Sequence, residues 1–336
     1  MILTDDITTY HHLIIVSYSF IYYIAALQRR ILEQALQRTI ELSQLSDFFG
    51  ASKPQVSFEF FPPKDPEGEE LLWNTIKRLE PLAPDFVGVT YGALGSTRDL
   101  THRTVRRLAQ ETALKPAAHL TCAGASRSEV DQVADNYWQA GVRHIVAMRG
   151  DPPKGSTSYI PHPDGYAHAC DLVRGLKKLH DFQITVAAFP EKHPESPSFE
   201  FDMDVLKMKI DAGATQAITQ YFFSVEDYFR LLDRAEKAHI EIPIIPGILP
   251  VSKAANLVNF SKTCGASVPS WLVKLFEYSD NNPDIRNLLA MHVAASQCLL
   301  LRKAGIDKFH FFTMNRYELT WAICRVLGLV VHEEFL

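Results

Sequence analysis

The sequence predicts an α/β protein built as a single (β/α)8 TIM barrel, on three observations. From Gln55 onward, short runs rich in β-branched and aromatic residues alternate with stretches whose apolar residues recur every three and four positions. That order builds a parallel sheet wrapped by helices. Eight such runs can be counted, the number that closes a barrel. Unusual polar residues gather at the carboxyl end of one run after another, where barrel enzymes assemble their chemistry.

The chain opens with residues 1–30, an apolar extension in which Leu13 to Leu27, LIIVSYSFIYYIAAL, is almost wholly hydrophobic and Arg29 and Arg30 follow. The run is shorter than the ~20 residues of a spanning helix. Asp5, Asp6, His11 and His12 precede it, rather than the basic region of a signal peptide. It gives no firm membrane span. Two readings stand: a segment that lies on an interface or packs on a partner, or sequence upstream of the true translation start. In the second, translation begins at a non-Met codon near the amphipathic run LQRRILEQALQRTIELSQLSDFFG.

Residues 31–332 form one catalytic barrel, entered by an amino-terminal helix. Its strands are QVSFEFF (55–61), DFVGVTY (85–91), AAHLTC (117–122), RHIVAMR (143–149), QITVAAF (183–189), TQAITQYFF (215–223), IPIIPGI (242–248) and KFHFFTM (308–314). Between them, EELLWNTIKRLEPL, RSEVDQVADNYWQAG and VEDYFRLLDRAEKAH carry the helical spacing of scaffold helices. Extra helix lies between Gly265 and Ala304, before the eighth strand, including IRNLLAMHVAASQCLLLRKAG.

Composition narrows the function. With 47% hydrophobic and 22% charged residues, the chain can bury a large core. A net charge of −5, with no basic stripe interleaved with aromatics, argues against nucleic acid and leaves small molecules or other subunits as partners. Cys122, Cys170, Cys264, Cys298 and Cys324 form no C-x-x-C pair, which disfavours disulfides and structural zinc and suits a reducing cytoplasm. His119, His168 and His193 lack the spacing of a helical metal site, so no catalytic metal is expected. No Rossmann or Walker glycine loop is present, so any dinucleotide is held without a Rossmann domain.

At the strand ends stand Glu59, Thr90, His119 with Thr121, Arg149 with Asp151, Gln220, and Asn315 with Arg316. Strand alternation puts Ser57 and Glu59 on one face and Val56, Phe58 and Phe60 on the other. The apolar face meets the helices, so Glu59 points into the barrel mouth. Desolvation there predicts a raised pKa and a carboxylic acid able to give up a proton; a structural carboxylate paired with an arginine is the alternative. Asp151, in the triplet Arg149-Gly150-Asp151, would place negative charge where a cation forms, unless the triplet is a solvated turn with an incidental ion pair. His119 alone reads as a core histidine, and Gln220 alone could simply finish a strand.

Taken in order, VSFEFFPPK, VTYGA, HLTC, RHIVAMRGD, VAAFPEKHPES, DAGATQAITQYFF, IIPGILP and FHFFTMNR resemble the methylenetetrahydrofolate reductases in their short bacterial, flavin-containing form. The match runs from about Ile31 to Leu329. The resemblance implies a barrel that holds FAD at the strand ends and works in two half-reactions. NADH or NADPH reduces the flavin and leaves; 5,10-methylenetetrahydrofolate then opens to a 5-iminium cation and takes hydride to give 5-methyltetrahydrofolate, feeding methionine synthesis. It implies Glu59 as general acid and Asp151 as the carboxylate beside flavin and pterin. Gln220 is implied as the shared folate and nicotinamide contact, Arg316 as the receiver of the folate tail, and Thr90 and Phe260 as nicotinamide-side contacts. For FAD the matching positions are Tyr91, Ala93, His119, Arg149, Gly150, Asp151, Ala169, His193, Asp202 and Lys209. Phe189, Val205 and Met208 depart from the pattern, which implies a looser hold on FAD or substitution by a neighbour such as Lys207. A homo-oligomer is also implied. Two alternatives stay open: a proline-dehydrogenase-like flavin barrel, and a partner-dependent folate-reductase subunit without its own NADH reaction.

Overall fold

The structure is a computed structural model that describes residues 53–91, 98–151, 159–251, 257–277 and 282–329. The amino-terminal extension, the helix expected from Ile31, Ala93 and the limit at residue 332 lie outside the described residues. In chain order the elements are β1 (Gln55–Phe60), α1 (Pro66–Leu79), a 3-10 turn (Glu80–Leu82), β2 (Val87–Val89), α2 (Arg98–Glu111), β3 (Pro116–Thr121), α3 (Arg127–Gln139), β4 (His144–Met148), α4 (Ala169–Leu179) and β5 (Gln183–Ala188). They continue with α5 (Phe199–Asp211), β6 (Gln216–Thr219), α6 (Val225–Lys237), β7 (Ile244–Ile245), β8 (Gly247–Ile248), α7 (Leu257–Cys264), α8 (Ser270–Glu277), α9 (Pro283–Lys303), β9 (Lys308–Phe312) and α10 (Tyr317–Val326).

Every strand pair is parallel, and the sheet order is β7-β6-β5-β4-β3-β2-β1-β9-β8. The two outermost strands, β7 and β8, are consecutive in the chain and separated only by Pro246. The sheet therefore closes into the expected barrel of eight staves, with the seventh broken in two. Proline has no N–H to give the ladder. Its carbonyl still accepts from the His310 amide at 3.0 Å, which carries the closure across the break.

Local chemistry places the helices. Asp65 caps α1 by accepting from Gly68 N at 2.7 Å, with Pro66 in the first turn. Ser126 and Glu129 form a reciprocal capping box on α3. The buried residues Leu72, Ile76 and Leu79 of α1 recur at helical spacing and pack on the outer face of the sheet, where Val56, Phe58 and Phe60 are 3%, 0% and 0% exposed. Burying one such phenylalanine is worth about 1.5–3 kcal/mol. The inner core is Phe86, Ala117, Val146, Ile218 and Ile245, with Met148 against it.

The elaboration before the last strand has a core of its own in Val251, Leu257, Leu272, Phe276 and Ala290. It starts earlier than expected, with α7 at Leu257. No helix among the described residues is long and apolar enough to cross a membrane.

Candidate active site

Glu59 projects into the barrel mouth as its strand parity predicts, and its partners come from strands on both sides. Oε2 lies 3.3 Å from His310 Nε2 on β9 and 3.3 Å from His119 Nε2 on β3. His119 can reach across β2 because the residue between is Gly88. A Cβ there would sit 3.2 Å from His119 Nε2 and 3.7 Å from Glu59 Cγ. His310 is fully buried, and its Nδ1 lies 2.8 Å from Ser57 Oγ. A carboxylate only accepts, so in a neutral ring Nε2 carries the proton toward Glu59 and Nδ1 accepts from the serine.

This geometry overturns the expected direction of the Glu59 pKa. Burial raises it and is the largest single influence, but the charge and hydrogen bonding of His119 and His310 together outweigh burial and hold the carboxyl down at about 2. Nor is an arginine its partner; two imidazoles are. Below this cluster His144 is kept neutral, pushed down to about 3 by burial and by the neighbouring imidazoles. Its Nε2 lies 2.6 Å from Thr185 Oγ1, which accepts from Gln216 Nε2 at 2.8 Å.

The predicted flavin side lies across the ends of β3, β4 and β5. His119 Nδ1 and Thr121 Oγ1 are buried without a hydrogen-bond partner among the described residues, which leaves both free to bond a group at the mouth. Gly150 adopts φ +90°, and a Cβ on it would fall 2.9 Å from Ala123 Cβ and 3.0 Å from Thr121 Cβ, so both the backbone conformation and the packing of its neighbours require glycine there. Arg149 donates to both carboxylate oxygens of Glu195 at 2.6 and 3.0 Å. Asp202 is buried and accepts from His193 N at 2.7 Å and from Ser196 Oγ. Lys209 donates to the Ala187 carbonyl at 3.0 Å. Burial pushes its ammonium down to about 8 against the pull of Asp202. Burial also lowers the His193 pKa. Ala169 is buried as the first residue of α4. Tyr91 lines a cavity with Arg98, Thr121 and Gly124, and burial raises its phenol pKa.

The remaining candidates ring the mouth. Asp151 is exposed, and its charge reaches both Arg149 and Cys264. Thr90 is tied in by backbone, donating to the Phe60 carbonyl at 2.9 Å while its own carbonyl accepts from Thr101 Oγ1 at 2.8 Å. Gln220 is half-buried, and its Oε1 accepts from Tyr221 N at 3.0 Å. Tyr221 stacks on Phe260, 51% exposed on α7, at 6.1 Å and 12°. Arg316 is exposed at the start of α10. It follows a turn in which Met314 and Asn315 take positive φ and the Asn315 side chain pairs with both Phe61 N (2.8 Å) and Phe61 O (2.9 Å). Of the departures, Phe189 meets His193 edge-on at 4.8 Å, and Met208 is exposed.

Sequence reasoning missed His310, Gly88 and Glu195. The signal for His310 was present: it is the only polar residue in FHFF and shares the inward parity of Ser57, its partner in register. Among the described residues no group of three or more His, Cys, Asp or Glu is arranged to hold a metal ion.

A closed barrel with a carboxylate and two imidazoles at its mouth, beside the cations Arg149 and Lys209, has the arrangement of a barrel enzyme. The sequence model of the family described as Methylenetetrahydrofolate reductase matches residues 44–328. The chain belongs to that family, and it is an oxidoreductase. It is 47% identical to the 5,10-methylenetetrahydrofolate reductase of Pectobacterium carotovorum and 46% identical to that of Escherichia coli, in each case over 82% of this chain and 90% of the relative. The Arabidopsis thaliana protein called Methylenetetrahydrofolate reductase (NADH) 1 is 32% identical over 82% of this chain but only 48% of its own length. A solved Clostridium thermocellum structure, described as an uncharacterized protein that binds two copies of 5-methyl-5,6,7,8-tetrahydrofolic acid, has a TM-score of 0.57 at 15% identity. It covers 84% of this chain and 97% of that one, and the likeness speaks to the fold alone.

Proposed function

We propose that this chain reduces 5,10-methylenetetrahydrofolate to 5-methyltetrahydrofolate in the cytoplasm, with FAD as its flavin, NADH or NADPH as reductant, and a homo-oligomer as its assembly. The observation that carries this reading is Glu59 at the mouth between His119 and His310, in a chain 46–47% identical to curated reductases over most of its length.

The unpartnered Nδ1 of His119 and Oγ1 of Thr121 and the cations Arg149 and Lys209 fit a polar, anionic cofactor. Tyr91, His119, Arg149, Gly150, Asp151, Ala169, His193, Asp202 and Lys209 would hold it, with Ala93 by resemblance. Bound there, FAD would supply the hydride.

Glu59 manages the proton that folate ring opening requires. While an imidazole beside it is charged, the carboxylate stays ionised. Glu59, His119 and His310 lie close enough for a proton to be handed between them. Glu59, in the barrel mouth, passes that proton to the substrate nitrogen. Asp151 sets a negative charge at the mouth, which favours a cation on the folate. Gln220, Phe260, Thr90 and Arg316 border the space a folate or nicotinamide would enter. Anaerobic titration tests this: yellow protein should bleach with NADH or NADPH and regain colour with methylenetetrahydrofolate, and protein that binds no flavin refutes it.

A further inference from the structure

Arg149 is held on three sides by the protein itself. Its Nη1 and Nη2 donate to Glu195 at 2.6 and 3.0 Å, its Nε donates to the Gly150 carbonyl at 3.1 Å, and its Cζ lies 4.4 Å from the centre of the Tyr159 ring. An unrestrained arginine carries about 2 kcal/mol of rotamer entropy, and a planar fork that is already fixed loses less on meeting a ligand. Of the five N–H donors a guanidinium offers, these contacts among the described residues leave two for something else.

Glu195 in turn rides on a pinned loop between β5 and α5. Its amide donates to His193 Nδ1 at 3.1 Å, and the His193 amide and Ser196 hydroxyl both end on Asp202. Further back, the Glu191 carboxylate accepts from Ser267 N at 2.9 and 3.1 Å. Gly265 sits so close to the loop that a Cβ there would fall 2.9 Å from Pro194 Cδ. The Glu195 side chain is 50% exposed, so water competes for its carboxylate, yet the loop delivers it to Arg149 in two-pronged geometry.

We propose that Glu195 is a positioning residue for FAD: it fixes Arg149 at the strand end so that the remaining donors meet the cofactor already oriented. The inference rests on the FAD reading above. The same carboxylate also has an opposing effect, since a negative charge near a diphosphate weakens binding. Water around a half-exposed side chain screens that repulsion, whereas it does not undo the fixing of the fork. Positioning therefore wins, and the two effects differ in sign.

The test measures the FAD dissociation constant of the deflavinated protein by fluorescence quenching, for wild type, E195Q, R149K and the double variant, with thermal unfolding of each. E195Q should weaken FAD about tenfold, the scale of one lost charge-assisted contact. A lysine at 149 cannot span two carboxylate oxygens, so in the R149K background E195Q should have little further effect whatever it does to the melting temperature. Unchanged or tighter FAD binding by E195Q overturns the positioning role, as does an equal tenfold loss in the R149K background. Wild type that binds no FAD overturns the cofactor reading and this inference with it.

Discussion

Replacing Glu59 with glutamine should separate the two halves of the reaction. The native carboxyl is held at about 2 instead of 4.5 with its side chain only 12% exposed, and a gap of about 2.5 corresponds to about 3 kcal/mol in favour of the anion. Glutamine keeps the shape and accepts from an imidazole, but has no acidic proton to pass on. Folate reduction should fall by about 10² to 10⁴-fold, the range for a missing general acid, while reduction of the flavin by NADH or NADPH is unchanged. Stopped-flow absorbance of the flavin band, run anaerobically for each half-reaction, measures both. Equal losses in the two halves, or a folate step close to wild type, would refute the assignment. The same substitution has a stability consequence. A carboxyl lowered by folding stabilises the protein above its unfolded pKa, and that contribution drains away as pH falls from about 4.5 toward about 2. Urea midpoints should therefore drop less steeply across that window in Glu59→Gln than in wild type.

Gly88→Ala should push His119 off Glu59, since the new Cβ would stand 3.2 Å from Nε2; a folate half-reaction slowed about tenfold by the displaced ring, together with weaker FAD binding, is the expected result by stopped flow and flavin titration. Gly175→Ala tests packing instead of chemistry. Inside α4 the added methyl normally gains about 1 kcal/mol, but here it collides with the Tyr166 ring, whose hydroxyl donates to Asp131 at 2.7 Å. A net loss of about 1–3 kcal/mol should show in denaturant midpoints, and a stabilised variant would refute the packing.

Much of the barrel was legible because strand and helix leave different periods in the sequence. The runs around Phe58, Val89 and Ile145 are short, β-branched or aromatic and bounded by polar turns, so they announce strands whatever their neighbours. The inward turn of Glu59 was equally readable, since alternation is a local property. The break at Pro246 followed from a residue visible in IPIIPGI, but its consequence depended on what lay opposite. The direction of the Glu59 pKa was not legible: burial can be guessed from flanking phenylalanines, whereas His310 is 251 residues away and His119 reaches it only because position 88 has no side chain. The Arg149–Glu195 pair likewise joins residues 46 apart. Such pairings are set by register and loop course, which no local pattern records.

The first and last strands of the barrel lie side by side, with Ser57 opposite His310, and this has a consequence for biosynthesis. A ribosome that has released β1 through α9 has made nearly all of the scaffold, yet Glu59 still lacks one of its two imidazoles. The proton site comes into being only when β9 slots between β1 and β8. Chains that stop short of that strand should therefore be catalytically silent as well as open at the seam, so that turnover itself certifies a completed polypeptide.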